Sequence, residues 1–315
     1  MNTQPRTLQW RPARAKGTGR AIGHHGEIVQ GMFPTRDGGF CRGLITLPCE
    51  VFHATATFAP EPEAPLRSVP AGKAKALEAA ALTLKELGQD SWGGALSIDS
   101  NIPLRWGLGS STADVTATVR AVCDAFGERL PAERIARLAV AAETASDPIM
   151  FDDCAMVFAH RGGHVIETLP GGLPPLTVLG FRTSEEDEGV DTLSHPPASY
   201  DEVETRAFRP VVGLLRRAAF TGDSALLGRA ASASARINQR FLPRRHLAGL
   251  ERIAAEAGGV GLQVAHSGII AGILFDPHSP DLHRRVDAAR HGLADLGITE
   301  AWCFRTAGDD ARRGG

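Results

Sequence analysis

Apolar and polar positions alternate along this chain with two distinct periods. Leu77, Ala80, Leu84 and Leu87 recur at helical spacing and stop at Gly88, which predicts a helix with a glycine at its C-terminal end. Val115, Val119, Val122 and Phe126 follow i, i+4, i+7, i+11 up to Gly127, predicting a second helix with Ser110 or Ser111 at its N-terminus. Pro131 suits the first turn of a third, whose apolar stripe is Ile135, Leu138 and Ala142. The β-branched and aromatic run "LITLPCEVFHATATF" (44–58) reads as strand interrupted at Pro48, and "ALSID" (95–99) as a short strand. "AMVFA" and "HVIET" flank "HRGG" as a hairpin. Residues 1–18 read as a loose terminus and "EPEAPLRSVPAG" (61–72) as a proline-rich connector.

A second block opens near "LPGGLPP" (169–175). It holds a strand at 177–181, an acidic loop at 183–191, a long helical region over 201–258 and the apolar run "GVGLQVAHSGIIAGILF". A helix near 281–296 and a strand at 299–304 complete it. Strands and helices interleave in both halves, so the expectation is α+β with two domains, 1–170 and 171–315.

Composition narrows the class. With 43% hydrophobic and 22% charged residues among 315, the chain can bury a large core. A formal net charge of −2 supplies no general attraction to nucleic acid or to acidic membrane surfaces. Five scattered cysteines, Cys41, Cys49, Cys123, Cys154 and Cys303, have neither the even count of a disulfide framework nor paired metal-ligand spacing. No apolar run approaches the ~18 residues of a membrane span, and a cytoplasmic protein is expected.

The chemistry concentrates in "PLRWGLGSSTAD" (103–114). Gly107 and Gly109 permit positive φ and a close backbone approach. A helix beginning at Ser110 or Ser111 aims unpaired N–H groups and its positive dipole end at whatever precedes it, an arrangement suited to polyphosphate. The string is neither GxxxxGK[ST] nor GxGxxG, and by spacing alone it is equally a serine-capped helix after a glycine turn. Around Ser267 the G-x-S-x-G elbow fails at Ala265 and Ile269, which excludes a serine hydrolase of that type. Adjacent His24 and His25 would face opposite sides of a strand and cannot jointly grip one ion.

Taken whole, Pro103, Gly107, Leu108, Gly109, Ser110, Ser111, Thr112 and Ala113 resemble in register the central ATP-binding signature of the GHMP kinases. Within that family the sequence resembles the L-threonine kinases of cobalamin synthesis. "GHHGEIVQG" (23–31) is similar to their Cys-Gly-Glu-Leu-x-Gln-Gly element, "ETASDPIMF" (143–151) to their Glu-Pro-Thr-Asp-Ser-x-x-Phe stretch, and "QVAHSG" (263–268) to their Ala-His-Ser-Gly loop. The four matches run in family order. His25 stands where those kinases carry cysteine, Ile22 where they carry proline, and Pro148 replaces a serine.

The resemblance implies a ribosomal-protein-S5-like N-terminal domain, which includes a left-handed βαβ crossover, and a ferredoxin-like C-terminal domain. It also implies ATP and Mg²⁺ as cofactors, with phosphate bound by Pro103 and residues 107–112 and the metal by Ser111 and Glu143. Asp147 is the implied base for the acceptor hydroxyl, with Asp152 and Asp153 as neighbouring competitors. Gly26, Glu27, Gln30, Ser267 and Gly268 are the implied acceptor site, where a carboxylate could take an ammonium group. The expected activity is phosphorylation of a small hydroxy amino acid, L-threonine first, by a monomer or homodimer. Serine, homoserine or another small alcohol as acceptor, and a silent nucleotide-binding homologue, are the alternatives.

Overall fold

A computed structural model of the chain describes residues 16–35, 37–151, 155–183, 198–241, 243–265 and 268–306. Asp152, Asp153, Cys154, Ser267 and most of the acidic loop fall outside the described residues.

One ten-stranded sheet runs through the chain. Its main path is β10-β7-β9-β8-β1-β2-β4-β3, with the β5–β6 hairpin attached to β2. The N-terminal part comprises β1 (Gly17–Pro34), β2 (Phe40–Pro62), β3 (Leu66–Val69), α1 (Ala74–Glu86), β4 (Trp92–Ser100), α2 (Ser110–Ala125), α3 (Ala132–Glu143), β5 (Met156–Ala159) and β6 (His164–Thr168). β3 and β4 run parallel, with α1 as the crossover between them. The remainder comprises β7 (Thr177–Arg182), α4 (Glu202–Thr221), α5 (Ser224–Asn238), α6 (Leu247–Glu256), β8 (Gly261–Val264), β9 (Ile270–Phe275), α7 (Leu282–Asp295) and β10 (Ala301–Arg305). Its order β10-β7-β9-β8, antiparallel throughout, is ferredoxin-like with extra helices between β7 and β8. The halves join along β1 and β8, where Glu27 lies opposite Val264.

The periodic helices form where the pattern predicts them, but four segments differ. β1, of which only residues 17–18 fall in the expected loose terminus, is an 18-residue strand, buried without a break from Gly23 to Val29. Cover on both faces erases the alternation that marks a half-exposed strand. β2 continues through Pro48, because register shifts at Ile22/Gly23 and His24/Glu27 of β1 accommodate the irregularity there. The proline-rich connector contains edge strand β3, ended by Pro70. The long helical region is three helices, divided by Gly222, which is left-handed at φ 68°, and by the segment after Asn238.

α2 is the pivot of the N-terminal half. Beyond the valine stripe, a second stripe of Ala113, Ala117, Ala121 and Ala125 is fully buried. It lies directly on β1: a Cβ added to Gly19 would sit 2.2 Å from the Ala117 carbonyl oxygen. Small residues on both elements let the helix backbone touch the strand, and this fixes where the helix N-terminus points.

Candidate active site

The N-terminus of α2 is the geometric centre of the site. Gly109, not a serine, is its N-cap, left-handed at φ 75° and ψ 28°, with no side chain capping the helix. Ser110 and Ser111 are therefore the first helical residues, which corrects the expected serine cap. The first helical bond runs from Ala113 N–H to Gly109 O (2.9 Å), so the N–H groups of Ser110, Ser111 and Thr112 precede it and face forward. A Cβ at Gly109 would lie 2.3 Å from His24 Cδ2, so a left-handed backbone and a close neighbour both require glycine there. Leu108 is buried in the core, and its carbonyl accepts the His24 N–H at 3.1 Å, so it can offer a ligand only backbone. Pro103 is half-buried at the head of the loop.

The C-terminal half reaches this loop directly. Gly268 packs backbone to backbone on Trp106 and Gly107, and Ile269 N–H donates to Trp106 O at 3.1 Å. Trp106 stacks on Trp302 of β10 and lies under the Arg182 guanidinium, 4.8 Å from its centroid.

Four side chains from two distant segments meet over the first turn of α2. Ser111 Oγ donates to Glu143 Oε2 at 2.6 Å and Thr112 Oγ1 to Glu143 Oε1 at 2.9 Å. Thr112 Oγ1 also lies 3.4 Å from Asp147 Oδ2, bridging the two acids. Glu143 ends α3 and is 4% exposed. Burial pushes its carboxyl up to about 7; the Ser111 and Thr112 hydroxyls work against this and the charge of Asp147 adds to it. A hydroxyl and a desolvated carboxylate, both hard oxygen donors, fit a Mg²⁺ ion that keeps most of its water. The charge of such an ion would relieve the cost of burying Glu143 as an anion.

Asp147 sits on the loop beyond α3, its side chain 23% exposed. Its Oδ2 takes His24 Nε2 at 3.0 Å, while His24 Nδ1 lies 3.3 Å from the Gly26 carbonyl. Two acceptors ask the ring to donate from both nitrogens. Burial alone would pull His24 down; the Asp147 charge and hydrogen bond, the Glu27 charge and the Gly26 carbonyl outweigh it and hold the ring at about 9. In return, although burial opposes it, the His24 charge keeps the Asp147 carboxyl below its ordinary range. His24, Glu27 and Asp147 each place one ligand atom within 4.8 Å of the others, a trio a cation could use; as folded, the imidazolium occupies that electrostatic role. His25 points elsewhere, Nδ1 to Gln263 Oε1 at 2.8 Å, and burial lowers it to about 4.

The structure thus brings together residues 107–112, Glu143, Asp147, Gly26, Glu27 and Gly268. Gln30 stands further along β1, its backbone N–H on Ser234 Oγ (3.1 Å) and its carbonyl on Asn238 Nδ2 (2.8 Å). Ser267, like Asp152 and Asp153, lies outside the described residues. Sequence reasoning passed over His24 as the partner of Asp147, 123 residues away, and over Lys73, whose Nζ lies 2.6 Å from buried Asp114 Oδ2 in α2. No spacing rule links positions so far apart.

Residues 74–160 match the GHMP kinases N terminal domain. An L-threonine kinase of Salmonella typhimurium is 27% identical over 213 residues, 67% of this chain and 69% of that protein. A second, from Citrobacter freundii, is 28% identical over 66% of this chain and 69% of its own length. The fold is shared with homoserine kinase from Cytophaga hutchinsonii (TM-score 0.70, 16% identity, 96% of this chain and 98% of that one). It is shared too with a protein solved in complex with MVAPP, AMPPCP and magnesium (TM-score 0.67, 15% identity, 93% and 98%). Residues 74–160 thus carry a GHMP kinase N-terminal domain, and the chain, similar over two thirds of its length to L-threonine kinases and sharing the two-part α+β fold of its structural neighbours, is a small-molecule kinase.

Proposed function

We propose that the protein transfers the γ-phosphoryl group of ATP to the hydroxyl of a small hydroxy amino acid, L-threonine first, giving O-phospho-L-threonine and ADP. In this reading residues 1–170 bind the nucleotide and 171–315 close the acceptor side. The observation that carries it is the Thr112 bridge, which puts an open helix N-terminus, the Ser111–Glu143 pair and the Asp147 carboxylate within one helical turn.

The N–H groups of residues 110–112 and the backbone of Gly107, Leu108 and Gly109 cradle the phosphates, and the helix dipole favours their charge. Ser111 and Glu143 would hold Mg²⁺, which supplies charge neutralisation between the phosphates. Asp147 Oδ2 is occupied by His24 and Thr112, which leaves Oδ1 for the acceptor. The acceptor oxygen forms a bond to phosphorus as the bridging bond to ADP breaks, and its proton passes to Oδ1. A carboxylate held below its usual range is a weak base, yet in a loose phosphoryl-transfer transition state little charge builds on the attacking oxygen before the proton leaves. Orienting the hydroxyl is then the main work of Asp147, and His24 keeps it ionised and aimed. Gly26 and Glu27 on β1, with Gly268 from the C-terminal half, line the acceptor side, and Glu27 receives its ammonium group.

ADP release across L-threonine, L-serine, L-homoserine and simple amino alcohols, with products identified by mass, tests the proposal. Preferred turnover of L-threonine is expected. Absence of turnover with threonine beside turnover of another alcohol would replace the acceptor, and ATP binding with no turnover at all would make the protein a silent homologue.

A further inference from the structure

A half-buried cation with no carboxylate partner among the described residues lies near this site. Arg42 is on β2, and β2 pairs antiparallel with β5 through Leu44 and Phe158. Continued by two residues, this register brings Arg42 opposite His160, the first residue after β5, and the Arg42 charge acts on the His160 ring. His160 is 8% exposed, and its Nδ1 is buried with no hydrogen-bond partner. Arg42 Nε is equally buried and unpartnered, and among the described residues no carboxylate pairs with its guanidinium. Native interiors rarely leave a guanidinium and an imidazole unsatisfied side by side, because each unpaired group keeps its full desolvation cost.

The backbone ties His160 to the segment that carries Asp147. The His160 carbonyl accepts the N–H of Ser146 at 2.9 Å, so the strand end carrying His160 is tied to the residue next to Asp147. On the other side, the Tyr200 hydroxyl donates to Asn238 Oδ1 at 2.6 Å, and Asn238 holds the Gln30 carbonyl. Burial, then the charges of Arg42 and Arg161, push His160 down to about 4 against the pull of Asp147, so it is neutral.

We infer that Arg42, with His160 opposite it, is the seat of the acceptor's own carboxylate, so the acceptor is a hydroxy acid rather than a plain amino alcohol. The inference rests on the kinase reading above and deepens it. The hydroxyl goes to Asp147 and the ammonium group to Glu27, while the carboxylate accepts from the Arg42 guanidinium in the charge-assisted geometry arginine favours.

The test compares L-threonine with isopropanolamine, which keeps the amine and hydroxyl and lacks the carboxylate, by calorimetric binding and by turnover. Wild-type protein should bind L-threonine about 30-fold or more tighter than isopropanolamine, the size expected for a charge-assisted contact in a desolvated site. Arg42→Met should remove that preference, weakening L-threonine by a similar factor and raising its KM with little change in kcat, while isopropanolamine binding stays within about twofold. Arg42→Lys should recover part of the loss. Equal affinity of the wild-type protein for the two ligands, or an equal loss of both in Arg42→Met, would overturn the inference, and the first outcome needs no variant to fold. Carboxylate-selective binding that depends on Arg42 without turnover would refute the kinase reading and leave the seat standing. Turnover of alcohols regardless of a carboxylate would do the reverse.

Discussion

His24→Gln tests the electrostatic arrangement most directly. Glutamine can still donate one hydrogen bond toward Asp147 but carries no charge. His24 is 1% exposed, and the structure raises it from an ordinary 6.5 to about 9. At about 1.4 kcal/mol for each pH unit between these values, protonated His24 contributes about 3 kcal/mol to folding. Because the folded-state value lies above the unfolded one, the contribution is complete below about pH 6.5 and vanishes as the pH rises through 9. The variant should therefore be about 3 kcal/mol less stable than wild type at pH 6, about 2 at pH 7.5, and nearly equal at pH 10. Urea unfolding of both proteins at these pH values measures the gap, and the His24 ring resonance followed by NMR gives the titration itself. A stability gap that does not change with pH, or a His24 that titrates below 7, would refute the imidazolium–carboxylate pairing and with it the positioning of Asp147.

Other consequences follow from the same geometry. Asp147→Asn should lower kcat by roughly 10²-fold or more with ATP affinity unchanged, measured by steady-state kinetics beside nucleotide titration; an unchanged kcat would remove Asp147 from the reaction. Glu143, raised to about 7, is protonated below that value, so Mg²⁺-dependent ATP binding should weaken about tenfold per pH unit below 7 and level off above it, a dependence lost in Glu143→Gln. Lys73→Met should cost about 3 kcal/mol by leaving buried Asp114 unpaired, and adding Asp114→Asn should restore most of it in thermal unfolding.

Local periodicity reaches only part of this protein. α1, α3 and α7 are legible because each buries one face at a period of 3.6, α2 because its valines keep that period although it is buried nearly all round, and the hairpin β5–β6 because a short turn separates two apolar runs. β1 is not legible: buried on both faces and broken by register shifts, it has no period to read. β3 is a four-residue edge strand bounded by prolines, too short for a pattern. At the site, the glycine string, Glu143 and Asp147 are visible as motifs, because each sits at a local event, a helix start or a helix end.

By itself, then, the sequence determined the elements, the phosphate-suited helix start and the resemblance to a kinase family. All of these are written in residues near one another along the chain. Tertiary structure decided the partnerships: His24 with Asp147, Ser111 and Thr112 with Glu143, Lys73 with Asp114, and Arg42 opposite His160. Each of these joins positions between 31 and 123 residues apart, through strand register and helix packing. Their protonation follows from burial and neighbouring charge, quantities that exist only once the chain is folded.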